Sequence, residues 1–580
     1  MLNRYYPTRK LTILALDPSV RDRGKLVRTQ IEIPNEFLSA GPRGYRVHVI
    51  DYDATTRSFR RPARIPRGLN RDFAPSRDPF ESVSDRHLLS DPSFRAFMVY
   101  GIVMKTLTRF EFALGRRIGW SFGGHQIQVA PHAFEDANAF YSAETHGLHF
   151  GYFGNRRVAT CLSHEIIAHE TAHALLDGLR ERYMDPSSPQ QAGFHEGFAD
   201  VVALLSVLSA QSVVARVIDL GLPQRRSRSL RRADITSQKL RQSGLFGLAA
   251  EMGSELAGVH GHALRRSIAL EPRRDYLTSA DYDEPHALGE VLVAAVLNAY
   301  LEVWVRRLQA LGSRSTVDRH RAAEEGAEIA ERLLTMCIRA IDYCPPTDLQ
   351  FGDFASAVLT ADWELNPRDD KYRIREALLA SFIAYGIDPS SPGAAGRQKG
   401  SWDPPPEAVP LRYDHTHSES LKSDPDELFR FLWENRVAFK LNEQAYTRVL
   451  SVRPSVRVGS DGFTLRETVV EYHQQLTLFA RELARYGICK PSDMPGSAEV
   501  PIYGGNTVIF DEYGHVKYNI GKSIPNLTRP EVRERQSARL ANLWERGAFH
   551  PGQGKMRSFS GMHLRRRAAW YRSVRLPEEL

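Results

Sequence analysis

The stretch "IIAHETAHALLDGL", residues 166–179, carries His169, Glu170 and His173 in an apolar setting. Placed on a helix, positions four apart share a face, so the two imidazoles project together. Glu170 lies one step round, where it can reach a water beside a metal without itself ligating the metal. The chain has 20 histidines in 580 residues, so two of them fall into this spacing by accident often enough that five residues alone decide nothing. Two imidazoles are also too few. A catalytic zinc needs a third protein ligand and an open position for water.

The third ligand should be an acid or a histidine on a second helix packed against the first. "GFHEGFADVVALL", residues 193–205, offers Glu196, with His195 beside it as a competitor. Glu196 is preferred because it alone shares a helix face with Asp200, four residues on. A carboxylate at Asp200 can accept the ring N–H of a ligating histidine and so fix its tautomer and orientation.

His169-Glu170-x-x-His173 followed by Glu196-x-x-x-Asp200 resembles the thermolysin-like zinc metallopeptidases, the gluzincins. Other segments carry the likeness in the family's order over about 95–385. "DANAFYSAETHGLHFG" (136–151) is similar to the family's edge strand, which begins Asn-Ala-Phe-aromatic and lies along the substrate. "HALRRSIAL" (262–270) resembles the segment bearing a carbonyl-binding arginine. "EPHALGEVLVAAVLNAYL" (284–301) resembles the helix with the second active-site histidine. "LLTMCIRAIDYCPPTDLQFGDFASAVLTA" resembles the closing helices.

The resemblance implies that His169, His173 and Glu196 bind one Zn²⁺, and that Glu170 takes a proton from a zinc-activated water as it attacks a peptide carbonyl. His286 would donate to the developing oxyanion, with Asp283 or Glu284 orienting its ring. Tyr183, ten residues after His173, lies near the place of a second donor, although its loop "RERYMDPSSPQQAGF" is longer than the family's. Arg265, or its neighbour Arg266, would hold a substrate carbonyl. Asn138 and Ala139 would bind an extended peptide as one more strand on the sheet edge.

The rest of the chain sets the frame. Hydrophobic residues make up 42% and charged residues 25%, as in a globular protein, and the length suits two to four domains. Net charge is +8, concentrated in Arg225, Arg226, Arg228, Arg231 and Arg232 and in Arg565, Arg566, Arg567, Arg572 and Arg575. A nucleic-acid surface is possible there, but solvated loops account for such clusters as well. The four cysteines, Cys161, Cys337, Cys344 and Cys489, form no CxxC pair, so neither a disulfide framework nor a thiolate metal site is indicated. No N-terminal apolar stretch has the length of a signal peptide, and "VVALLSVLSAQSVVA" from Val201 is too short and too polar to span a bilayer. A cytoplasmic location away from membranes is the expectation.

The expected fold class is α+β. A β-rich segment over 1–90 precedes a thermolysin-like two-lobed unit. Its β-rich N-terminal lobe, 91–173, ends in the HExxH helix, and its mainly helical lobe covers 174–385. A Pro/Gly/Ser-rich linker, 386–410, then leads to a C-terminal α/β extension over 411–580. In that extension "DPDELFRFLWENRVAFKLN" and "RETVVEYHQQLTLFARELARYG" read as amphipathic helices. "NTVIFDEYGHVKYNIG" reads as a hairpin turning at Glu512-Tyr513-Gly514.

The likeness has limits. No acid follows Asp200 until Asp219, and Glu165 is the single match to the calcium ligands of secreted relatives, so structural Ca²⁺ is not expected. A cytosolic endopeptidase without a pro-segment would need narrow specificity or a restraining element, and 411–580 is the candidate for that role or for a regulatory partner. The alternative to a zinc endopeptidase acting on protein or peptide is a binding scaffold on the same fold. Glu170 weighs against the scaffold, because only catalysis requires it.

Overall fold

The computed structural model of the chain describes residues 7–70, 77–153, 158–184, 187–222, 227–245, 248, 266–282, 284–311, 315–405, 410–459, 462–524 and 530–545. Arg225, Arg226, Arg265, Asp283 and the arginines at 565–575 lie outside the described residues. With 44% helix and 21% strand, in sheets that are mainly antiparallel and segregated from the helices, the fold class is α+β.

The N-terminal segment opens with an antiparallel pair, β1 (Thr8–Leu14) and β2 (Arg28–Pro34), registered Thr8 to Pro34. Alternation buries Leu11 and Ile13 of β1 and Ile31 and Ile33 of β2. The third strand, β3 (Val47–Val49), does not stay within this segment. It pairs in parallel with β4 (Ile127–Glu135), so residues before 90 contribute directly to the central sheet. β4 also runs parallel to β6 (Gly147–Phe153), and β6 carries β5 (Ala139–Ser142) antiparallel on its other side. β5 is thus the edge strand that the Asn-Ala-Phe-Tyr run suggested.

Among the helices that build the middle of the chain are α1 (Pro92–Leu114), α2 (His164–Leu179), α3 (Pro189–Leu208), α4 (Gln211–Gly221), α5 (Pro285–Ala310), α6 (Arg319–Ala340) and α7 (Phe351–Leu365). Proline opens α1, α3 and α5, where its missing N–H costs nothing and its fixed φ suits a first turn. α2 is buried on almost every side and forms the spine of the fold. The run from Val201 belongs to α3 and α4, which bend by 87° between them. α5 is long and apolar enough to cross a membrane, but 83% of its apolar window is buried inside the protein, as in a core helix.

α3 crosses α5 where Gly197 faces Gly289. A Cβ on Gly197 would lie 2.8 Å from the Gly289 carbonyl oxygen and 3.0 Å from its Cα. Only hydrogen at both positions permits this approach, which brings the residues flanking the two glycines together.

The Gly386–Pro410 stretch is not a free tether where it is described. The Trp402 indole N–H donates to the Tyr343 carbonyl (2.8 Å), the Trp402 amide donates to Thr360 Oγ1 (2.8 Å), and Ser391 Oγ donates to Asp403 (3.0 Å). It is a long crossing packed on the helices.

Beyond it, the short helix α8 (Pro425–Glu434) matches the amphipathic reading. The segment "RETVVEYHQQLTLFARELARYG" does not. It forms β8 (Thr464–Phe479), a central strand of the meander β7 (Tyr446–Val458), β8, β9 (Glu499–Phe510), β10 (Val516–Lys522), followed by a short 3-10 turn at Ala480–Tyr486. Burial on both faces, from Glu467 to Gln474, lets the β-branched and aromatic residues override the helical spacing. The expected β9–β10 hairpin forms, with Gly514 at φ +90° and Asp511 accepting from the Tyr513 and His515 amides.

This meander shares the main core through Ile509, Tyr518 and Ile520. Buried charges seal the contact. Asp342 pairs with Arg116 (2.5 Å) and Arg457, and Glu467 pairs with Arg457 (2.6 Å) and Lys517 (2.7 Å). Arg180, at the end of α2, pairs with Glu471 (3.1 Å) and donates to Thr507 Oγ1 (3.0 Å). A further helix, α9 (Pro530–Glu545), packs back over Asp348, which pairs with Arg539 (3.3 Å).

Candidate metal centre

α2 starts behind Ser163, whose hydroxyl accepts from the Ile166 amide (3.4 Å). From that start, His169 and His173 fall on the face turned to α3, and their Nε2 atoms approach to 2.9 Å. Glu196 on α3 meets them: its Oε2 is 3.7 Å from His169 Nε2 and 3.8 Å from His173 Nε2. One ligand atom from each residue lies within 4.8 Å of the others, and all three residues are buried.

The donor set fits a divalent ion. Ligands about 2.0–2.1 Å from a tetrahedral zinc stand roughly 3.3 Å apart, and the three observed separations bracket that value. Both imidazoles are held from behind by the nitrogen not aimed at the centre. His169 Nδ1 lies 2.8 Å from Asp200 Oδ1, as the Glu196–Asp200 spacing predicted. His173 Nδ1 lies 2.8 Å from His195 Nδ1, and the two rings stack 4.8 Å apart. His195 is therefore placed as the orienting partner of His173, while Glu196 joins the ligand triangle. The expected competition resolves by position, because His195 reaches the far nitrogen of His173.

Without an ion the cluster holds protons. Burial disfavours a charged His169 ring, but the Asp200 carboxylate, then Glu170 and Glu196, outweigh it and raise its pKa to about 10. Glu165 is pushed up to about 8 by burial and then by Asp200.

Glu170 is fully buried, and its Oε2 accepts from the Tyr141 amide on β5 (2.8 Å). Tyr141 also donates its hydroxyl to Asp177 Oδ2 (2.7 Å), one turn beyond the second histidine. Burial and then Asp177 push that hydroxyl's pKa well above the usual phenol value, so it stays a donor. Tyr141 thus ties the edge strand to the helix at two points. Its signal in the sequence was the aromatic closing the Asn-Ala-Phe-aromatic run. Asn138 accepts from the Gly151 amide through its carbonyl (2.8 Å), and its side chain accepts from the Ala139 amide (2.9 Å). Both residues sit at the start of β5, the strand whose Tyr141 amide reaches Glu170, although Asn138 is spent on shaping the strand.

His286, in the first turn of α5, reaches the centre, with Nδ1 3.2 Å from Glu196 Oε2. Glu284 does not orient its ring. That carboxylate caps α5 by accepting from the Ala287 amide (3.0 Å). Arg266 pairs with Glu290 (2.8 Å), one turn after His286.

Tyr183 is not brought to the metal group. It is buried against Phe194, and its hydroxyl donates to the Pro345 carbonyl (2.6 Å). The expectation that it donates at the centre is corrected: the loop after α2 turns its ring into the core that meets the C-terminal meander. No protein-family model matches the chain, and no curated protein matches it.

Proposed function

We propose that the chain is a zinc-dependent endopeptidase of the thermolysin-like, two-lobed kind, working in the cytosol on a narrow range of protein or peptide substrates. The observation that carries this reading is the convergence of His169, His173 and Glu196 beside a carboxylate, Glu170, that is held by the edge strand and is not a ligand. When bound, the metal supplies a Lewis acid and a water acidic enough to react near neutral pH.

The chain's own groups do the remaining work. Ala139 and its neighbours on β5 bind an extended peptide by strand addition, which places its carbonyl beside Glu170. With Oε2 accepting from Tyr141, Oε1 of Glu170 is the atom assigned to take the proton and pass it to the leaving nitrogen. His286 donates to the oxygen that gains charge, and such a donor is worth about 2.7–4 kcal/mol. Asp200 and His195 keep the imidazole tautomers fixed. The deep burial of Glu170 and both histidines favours few substrates over many.

The test is Glu170→Gln on purified protein. Metal analysis should find one zinc per chain in both proteins. Cleavage of a peptide library, read by mass spectrometry, should fall by a factor of about 10²–10⁴ in the variant. Equal cleavage by variant and parent would refute the proposal.

A further inference from the structure

A second cavity of about 480 Å³ lies away from the metal centre, between the β1–β2 pair and helices α1, α2, α3 and α6. Its volume is that of a small-molecule site. Three cations and two carboxylates line it. Arg109 is matched by Glu331 through two hydrogen bonds (3.2 and 2.7 Å), and Lys10 stands opposite Glu32 in the strand register. Lys105, one turn before Arg109 on α1, has no ion pair among the described residues. Burial and then Arg109 lower its pKa, and the opposing pull of Glu331 and Glu32 does not make this up.

Two further lining groups are buried and lack partners. Ser206 Oγ on α3 and His164 Nδ1 at the start of α2 make no hydrogen bond, and the two residues are 1% and 4% exposed. The His164 ring is neutral, its pKa lowered to about 3 by burial and then by Arg109. A neutral imidazole carries one N–H and one bare nitrogen, and a hydroxyl, which both donates and accepts, can pair with Nδ1 in either state. Buried polar atoms of this kind are normally satisfied, so such a pair in a roomy, cationic cavity calls for a ligand.

We propose that this cavity binds a small hydroxylated anion, its acid group on Lys105 and Ser206 and one of its hydroxyls bonded to His164 Nδ1. A phosphate ester of a polyol and a short hydroxy acid share this chemistry. The cations would attract either acid group, but only a hydroxylated anion can also place an O–H at His164 Nδ1, and sulfate has none. The ligand would sit where the two helices bearing the metal ligands meet α1.

The test is calorimetric titration of the full-length protein with glycerol 3-phosphate, glycerate and sulfate at matched ionic strength. Saturable binding of glycerol 3-phosphate is expected if the source is a phosphate ester, and of glycerate if it is a hydroxy acid. Lys105→Met should weaken binding tenfold or more, and Ser206→Ala by about fivefold. No saturable binding of either probe would overturn the proposal. So would sulfate binding as tightly as they do, or affinities unchanged in both variants.

Discussion

Asp200 and His195 each hold one imidazole by its rear nitrogen, so each would act on a bound ion through a histidine. Removing such a partner typically weakens metal binding by about 10–100-fold. Asp200→Ala should therefore retain a folded chain with zinc affinity reduced by that factor, measured by chelator competition. The raised pKa of His169 adds a pH dependence with a definite sign. Nδ1–H faces Asp200, so the proton that leaves when an ion arrives is the one on Nε2. Below about pH 10 the empty site holds that proton, and each unit of acidification should cost about tenfold in zinc affinity. Competition titrations from pH 8 to pH 6 read this slope, and a flat profile would refute it. At this scale the three side chains that could hold a metal ion were legible, because HExxH and ExxxD encode helix faces directly. The orienting role of His195 was not, since spacing gives a face but not which ring nitrogen a neighbour touches. Tyr183 misled because ten residues of spacing say nothing of where a lengthened loop turns.

Between elements, the decisive contact is the crossing of α3 and α5. Gly197 follows Glu196 directly, and Gly289 lies three residues after His286, so the glycine contact fixes the distance between a metal ligand and the proposed oxyanion donor. A methyl at Gly197 meets backbone, which cannot rotate away. Gly197→Ala should cost about 1–3 kcal/mol of stability and lower zinc occupancy together, read by denaturant unfolding and metal analysis. Loss of stability with full occupancy would show that the helices part elsewhere. Helix α8 was readable from its amphipathic spacing, whereas β8 was not. Its run from Glu467 to Gln474 is buried on both faces, and a strand buried that way loses the alternation by which it would be recognised.

Across the whole molecule, the C-terminal meander is part of the core. Asp342 lies between Arg116 of the helical part and Arg457 of the meander. Burial would raise its pKa, but the two guanidiniums prevail and hold it below the usual carboxylate range. A depressed acid stabilises the fold above its unfolded pKa and loses that contribution as pH falls toward its folded value. Stability should thus decline with acidification below about pH 4. Asp342→Asn, which leaves Arg116 buried without its anion and Arg457 with Glu467 alone, should cost about 3–5 kcal/mol at neutral pH in urea unfolding. The Pro/Gly/Ser-rich stretch hid this union, because composition marks a segment without regular structure and cannot tell a free linker from one pressed against helices.

Arg180 makes the union reach the metal centre. It closes the histidine helix and is gripped by Glu471 and Thr507 of the meander, while the Gly197–Gly289 contact pins the opposite wall. The gap between the three donor atoms is therefore set by the framework before any ion enters. A larger cation such as calcium, which needs six to eight oxygens at about 2.3–2.6 Å, would have to spread the framework to enter, so rigidity selects by ionic radius.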